Sequence, residues 1–163
     1  MRPDPASSTR YFDDVQYGES LVPLVKGPLS TIHLMRWSAA IEAWHKIHYD
    51  HPFATGHDKL PGLLVNGSLK QQFVQQLLKD WAGRGGWVWT VGIQFRAMSL
   101  AGETLSIWGR VTGRRRVATF GLVDIELGIR NDAGQESAPG KAIIALPYRD
   151  GPPLPYPFVP PAL

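Results

Sequence analysis

Residues 66–95 read NGSLKQQFVQQLLKDWAGRGGWVWTVGIQF, and within that stretch the hydrophobic period changes once. Leu69, Phe73, Leu77 and Trp81 recur every four residues, joined by Val74 and Leu78, which marks one face of an amphipathic helix. Asn66-Gly67-Ser68 provides a start, and Gly83 with Gly85-Gly86 provides a stop. After Gly86 the period becomes two. Trp87, Trp89, Val91, Ile93 and Phe95 alternate with Val88, Thr90, Gly92, Gln94 and Arg96, predicting a strand with one apolar face.

The same alternation returns at Leu105, Ile107 and Val111, again at Val123, Ile125, Leu127 and Ile129, and a last strand is expected over 142–146. Short turn segments at Ala101-Gly102, Gly113 to Arg116 and Asn131 to Gly134 predict that consecutive strands pair as an antiparallel meander. Upstream, residues 20–26 read as a short strand, and Ser30-Thr31 opens a helix with Leu34, Trp37, Ile41 and Trp44 on one side. Residues 45–62 hold Pro52, Gly56, Pro61 and Gly62, so they read as a long loop, and long loops in small domains tend to be functional. The class is α+β: a curved antiparallel sheet must wrap the helix that starts at residue 66.

Composition bounds the rest. The 163 residues, 44% hydrophobic, suit one domain. Seventeen basic against 14 acidic side chains leave +3, and the aromatics fall on core positions instead of between basic residues, so no nucleic-acid partner is expected. There is no cysteine, hence no disulfide and no thiol nucleophile. The opening residues lack the apolar core of a signal peptide, and no run approaches the ~18 apolar residues of a membrane helix, so a cytoplasmic setting is expected. The organisation expected is an irregular segment over 1–10, a folded domain over 11–147 and a tail over 148–163. Seven of the 14 prolines fall from Pro147 onward, where Tyr156, Phe158 and Val159 are candidates to pin the tail onto a surface between subunits.

Histidines crowd the loop. His45, His48 and His51 with Asp50, then His57-Asp58, suit acid–base chemistry, a metal site or a solvated polar loop. The metal reading has no second ligand set and no His-Glu-x-x-His helix behind it, so no metal is expected. The start of the second helix presents unpaired amide donors at Gly67, suited to an oxyanion or a polarised carbonyl; the alternative is that Asn66 simply caps the helix.

The segments Tyr11-Phe12-Asp13-Asp14-Val15, Trp44 to Asp50, Leu60-Pro61-Gly62-Leu63-Leu64-Val65-Asn66-Gly67, Phe95-Arg96-Ala97 and Ala101 to Leu105 together resemble the MaoC-like dehydratase family. The resemblance spans most of residues 11–130. It is closest to the branch of 3-hydroxyacyl-thioester dehydratases and mesaconyl-CoA hydratases. It implies the hotdog fold, a homodimer or higher oligomer with a hetero-oligomer as another arrangement, and reversible hydration of an enoyl-CoA thioester. Coenzyme A enters only as part of the substrate, and no cofactor is implied.

Alignment on Ile47-His48-Tyr49-Asp50 puts the family's catalytic imidazole at His48 and its carbonyl-polarising amide at Gly67. The same alignment puts Ala43 where the family's catalytic Asp stands, with Glu42 and His45 at the neighbouring signature positions. His45 or Glu42 is therefore expected as the second catalytic polar group; on a continuing helix the two would share a face. Asn66, Trp44, Asp50 and Arg96 are the expected substrate-binding residues. Trp37, Phe53, Phe73 and Leu77 are further candidates for the acyl pocket, and Arg114-Arg115-Arg116 and Lys70 for the coenzyme A phosphates. Two alternatives share the fold: a non-catalytic acyl-CoA-binding subunit, motivated by Ala43, and a thioesterase.

Overall fold

A computed structural model describes residues 9–161; residues 1–8 of the expected N-terminal segment and the last two residues of the tail lie outside the described residues. The chain runs through strand β1 (Leu24–Lys26), helix α1 (Thr31–Ala40), a 3-10 turn at Lys46–His48 and a π turn at Phe53–His57. Helix α2 (Gly67–Ala82) and strands β2 (Trp87–Ile93), β3 (Leu105–Arg116), β4 (Phe120–Arg130) and β5 (Gly140–Pro147) follow. The strands form one antiparallel sheet in the order β1-β3-β4-β5-β2. This sheet curls around α2, which is the hotdog fold.

The alternation in β3 and β4 lands as read. Leu105, Ile107 and Val111 face the core with Val123, Ile125, Leu127 and Ile129, and they meet Val74, Leu77 and Leu78 of α2. Each such aliphatic side chain taken out of water contributes about 1.5–3 kcal/mol. That burial holds α2 inside the curl.

Two expectations fail for physical reasons. The strands are not a simple meander: β3, β4 and β5 run in sequence, but β2 pairs with β5 at the far side instead of with β3. Residues 94–104 cross the start of α2 to make that change, so Ala101-Gly102 closes no hairpin. The register of β2 also slips between Val88 and Thr90. A bulge of this kind reverses which side chains face inward. Val88, Val91 and Ile93 therefore pack on the core, whereas Trp87 and Trp89 turn to the outer face of the sheet.

The arginine run is not a turn. Strand β3 continues through Arg116, because Arg114 and Arg116 stack on Phe12 at 4.7 and 5.6 Å and Arg115 pairs with Asp124 across the strands. Arg116 also stacks on Tyr148, next to Pro147, which lies against Gly85 at the C-terminal end of α2. A 16-residue helix is about 24 Å long, so within this chain the run sits far from Gly67. Its three arginines stay exposed, each stacked or ion-paired within this chain at the end of α2 away from Gly67.

On the outer face, Phe120, Leu122 and Ala145 form a second apolar cluster with Trp89, Leu154 and Phe158. The proline-rich tail thus lies on its own sheet. Phe158 is its anchor, stacked on Trp87 at 5.9 Å with Trp89 and Phe120 around it, whereas Tyr156 is 90% exposed and Val159 62% exposed. Substituting Phe158→Ala is expected to lower stability by about 1–2 kcal/mol in urea unfolding, short of the ~3–5 kcal/mol of a fully buried Phe because this ring is only half-buried. An unchanged midpoint would show that the tail contributes nothing to the fold.

Candidate functional site

Helix α1 is capped by Ser30, whose amide donates to His33 Nδ1 at 3.0 Å, and it ends at Ala40, one turn short of Trp44. The early stop removes the helical face that Glu42 and His45 were expected to share. Glu42 instead takes a left-handed backbone conformation (φ 54°) and is exposed. Trp44 is 54% exposed, with its carbonyl accepting from the Tyr49 hydroxyl at 2.7 Å. Asp50 uses its carboxylate on the Phe53 amide at 3.0 Å, opening the π turn.

His48 stands apart from the other loop histidines. His45 caps the 3-10 turn through its Nδ1, His57 pairs with Asp58 at the surface, and His51 is exposed. The His48 ring turns inward and its Nδ1 lies 2.8 Å from the Leu64 carbonyl. A carbonyl only accepts, so Nδ1 carries the hydrogen, and in the neutral ring Nε2 holds a free lone pair. The ring of His45 is next to it, 6.4 Å between centroids and edge to face, with no hydrogen bond joining them.

Leu64 connects this imidazole to the start of α2. Its amide donates to the Ile47 carbonyl at 3.0 Å, and on its other side it bridges to Leu100. Val65 donates to the Ser99 carbonyl at 2.8 Å. Residues 63–65 are thereby clamped between the loop and the 99–101 segment, and α2 begins at a fixed place three residues beyond the histidine's anchor.

At that start, Asn66 does not cap the helix with its side chain. Its Nδ2 donates to the buried Ser38 hydroxyl at 3.2 Å, and its Oδ1 is buried without a partner. Gly67 is the first residue of α2, so its amide has no intrahelical acceptor. A side chain here would meet the tip of the Phe95 ring at 3.0–3.5 Å, so only glycine leaves this spot open. Gly67, Lys70, Phe95, Arg96, Met98 and Ser99 line a cleft of about 360 Å³, with Leu64 at its edge. Of the expected site residues, Gly67 and Arg96 line this cleft, Asn66 is buried just before Gly67, His48 reaches the cleft residue Leu64 through its carbonyl, and His45 borders the His48 ring.

Lys70 is the residue whose environment the sequence reading missed. Expected as a candidate for the coenzyme A phosphates, it is 3% exposed. The ammonium lies 3.4 Å from the Ala97 carbonyl and from the hydroxyls of Ser99 and Ser137, and 5.3 Å from the centre of the Phe95 ring. Burial holds its pKa below the ordinary 10.5, and the charge of Glu103 offsets part of that. A signal was available: Lys70, Val74, Leu77 and Leu78 are spaced i, i+4, i+7 and i+8, so the lysine sits on the buried stripe.

The profile of the family described as hydroxyacyl-thioester dehydratase type 2 matches residues 19–103, from before β1 to the end of the crossing segment. The chain belongs to that family. The (R)-hydratase from A. caviae involved in PHA biosynthesis is similar in structure, with TM-score 0.73 and 20% identity over 82% of this chain and 98% of that one. The R-hydratase PhaJ1 from Pseudomonas aeruginosa has TM-score 0.75 and 16% identity over 94% and 95%. The ChsH1–ChsH2 complex from Mycobacterium tuberculosis has TM-score 0.69 and 18% identity over 80% and 98%. These likenesses establish the shared fold. No curated protein is significantly similar to this member of the hydroxyacyl-thioester dehydratase type 2 family.

The lysine gives this family member a pH signature. The folded chain binds the Lys70 proton less tightly than the unfolded chain does, so Lys70 costs stability at neutral pH, and stability recovers as pH rises through its folded pKa toward 10.5. Lys70→Met is therefore expected to stabilise the protein at pH 7, on the order of 1 kcal/mol, with the gain shrinking as pH climbs. Thermal unfolding of both proteins across pH checks it. A loss of stability at every pH would show that the ammonium's three oxygen contacts outweigh its desolvation.

Proposed function

We propose that the protein is an acyl-thioester hydratase/dehydratase that adds water reversibly to an enoyl-CoA or removes it from a 3-hydroxyacyl-CoA. The observation that carries this is His48: an imidazole with Nδ1 committed to the Leu64 carbonyl, leaving Nε2 to accept a proton, anchored three residues before the open amide of Gly67. Family membership supports the same reaction class.

In this reading the thioester oxygen accepts from the Gly67 N–H, which withdraws electron density along the conjugated chain and makes the β-carbon electrophilic. His48 Nε2 takes a proton from water as the water oxygen bonds to the β-carbon, and the same nitrogen returns that proton to the α-carbon. One O–H bond is exchanged for a C–H bond and the π bond for a C–O bond. With Ala43 at the position of the family's Asp, the water needs another acceptor. His45, whose ring borders that of His48, is the candidate for it, with the exposed Glu42 as the alternative. The acyl chain would run along Phe95 and Met98, both more than half exposed, and the exposed Arg96 at the cleft suits a coenzyme A phosphate. Among the described residues no helix is long and apolar enough to cross a membrane, and a cytoplasmic thioester pool is the setting this reading assigns.

Strand β2 ends the sheet, bonded to β5 alone, so its other edge presents unpaired backbone groups. A homodimer joined through β2 satisfies them. Light scattering is expected to give twice the chain mass, and a monomer at working concentration contradicts the arrangement.

Purified protein should consume the conjugated absorbance of an enoyl-CoA, and His48→Ala should reduce the rate by about 10²–10⁴-fold, the usual contribution of a general base. Gly67→Ala should reduce it as well, by displacing Phe95 and closing the approach to the amide. Thiol release without loss of the alkene would favour a thioesterase. Retained acyl-CoA binding without turnover would favour the subunit reading that Ala43 motivates, and the likeness to a two-component complex keeps that reading specific.

A further inference from the structure

Five polar side chains are buried among the described residues: Ser38, Asn66, Lys70, Ser99 and Ser137. All five gather around the first turn of α2. Ser38 and Asn66 bond to each other on one side, while Lys70, Ser99 and Ser137 join on the other. Lys70 is the one charged member, and a buried ammonium is expensive unless an anion meets it. Here no carboxylate does. Its three oxygen partners are neutral and stand at 3.4 Å, longer than an ordinary charge-assisted bond of ~2.8 Å. The charged groups around it are Glu103, which acts through space without a hydrogen bond, and Arg96 on the crossing segment; Ser137 and Ser99 are the remaining polar groups packed on it.

The ammonium is also close to the reacting position. Lys70 follows Gly67 by three residues, so the two share a helical face. Both touch the same ring: the Lys70 ammonium lies over the face of Phe95, and Gly67 abuts its tip. Both line one cleft with no acidic side chain in its wall.

We propose that Lys70 is a positioning residue of the reaction, whose buried ammonium, offset only in part by Glu103 and bonded to no carboxylate, charges the first turn of α2 so that the Gly67 amide receives the enolate-like oxygen more strongly than the ground-state carbonyl. This rests on the hydratase reading. Lys70 keeps its proton throughout and forms no bond to substrate; it acts through the field at the Gly67 amide. Its depressed pKa places the loss of that charge within reach of an alkaline titration.

Two measurements on the full chain test this. In steady-state kinetics with an enoyl-CoA, Lys70→Met is expected to lose about ten- to a hundredfold in kcat with KM changed little, less than the 10²–10³-fold of removing a direct oxyanion donor. The wild-type rate should fall on the alkaline side where Lys70 loses its proton, and the Lys70→Met profile should lack that fall. Infrared spectroscopy of a bound, carbonyl-labelled saturated acyl-CoA needs no turnover. The carbonyl stretch should shift down on the wild type, relax as pH rises, and shift less on Lys70→Met. A kcat within twofold of wild type together with an identical carbonyl stretch, or no shift on the wild type itself, overturns the proposal. If the wild type fails to hydrate enoyl thioesters, the reaction proposed above falls, while the infrared comparison still decides Lys70. Should Lys70→Met not fold, the wild-type stretch decides alone: relaxation at alkaline pH supports the role of the charge, and a stretch constant with pH overturns it.

Discussion

The architecture around the cleft turns on one residue's backbone. Leu64 accepts from His48 Nδ1, donates to Ile47 and bridges to Leu100, so a single residue joins the loop, the lead into α2 and the crossing segment. The backbone groups are shielded from water here, and each bond left unmade would cost about 1–3 kcal/mol. The loop after α1 is therefore locked although it contains little regular structure. The same bond selects the tautomer: while Leu64 takes the Nδ1 hydrogen, a neutral His48 must present a basic Nε2. Position and protonation state come from one contact.

What surrounds that contact is an electrostatic arrangement made mainly of backbone and neutral groups. The start of α2 contributes the Gly67 amide and the positive end of the helix dipole. Ser38 fixes the Asn66 amide and leaves Oδ1 without a donor, an unsatisfied acceptor that is costly in a packed interior.

The fold was legible wherever periodicity is local. Val74, Leu77 and Leu78 on α2, and Ile107, Ile125 and Ile129 on the sheet, repeat at the spacing of their own element, so their burial could be read directly. Features decided by distant partners were not legible. The place of β2 beside β5 follows from how the sheet closes, and the bulge near Trp89 turns Trp87 and Trp89 to the outer face, where they meet Phe158 of the C-terminal tail. Likewise Arg114 and Arg116 read as a solvated turn until Phe12 and Tyr148 arrive to stack beneath them. At the candidate site, motif order singled out His48 and Gly67, and the clamp on residues 63–65 that links them through Leu64 was not legible. The shared helical face expected of Glu42 and His45 does not form because α1 ends at Ala40, a stop that no glycine or proline announces. Lys70 was hidden because a charge on an apolar stripe is normally taken to bend toward water.

Nuclear magnetic resonance of the labelled protein with a saturated acyl-CoA, which cannot turn over, tests most directly whether His48 and Gly67 address one ligand. The Gly67 amide resonance and the His48 Nε2 resonance are predicted to move together along one saturable curve, with the Gly67 proton shifting downfield as it meets the thioester oxygen. Perturbation confined to surface arginines, with both of those resonances unmoved at saturation, would contradict it.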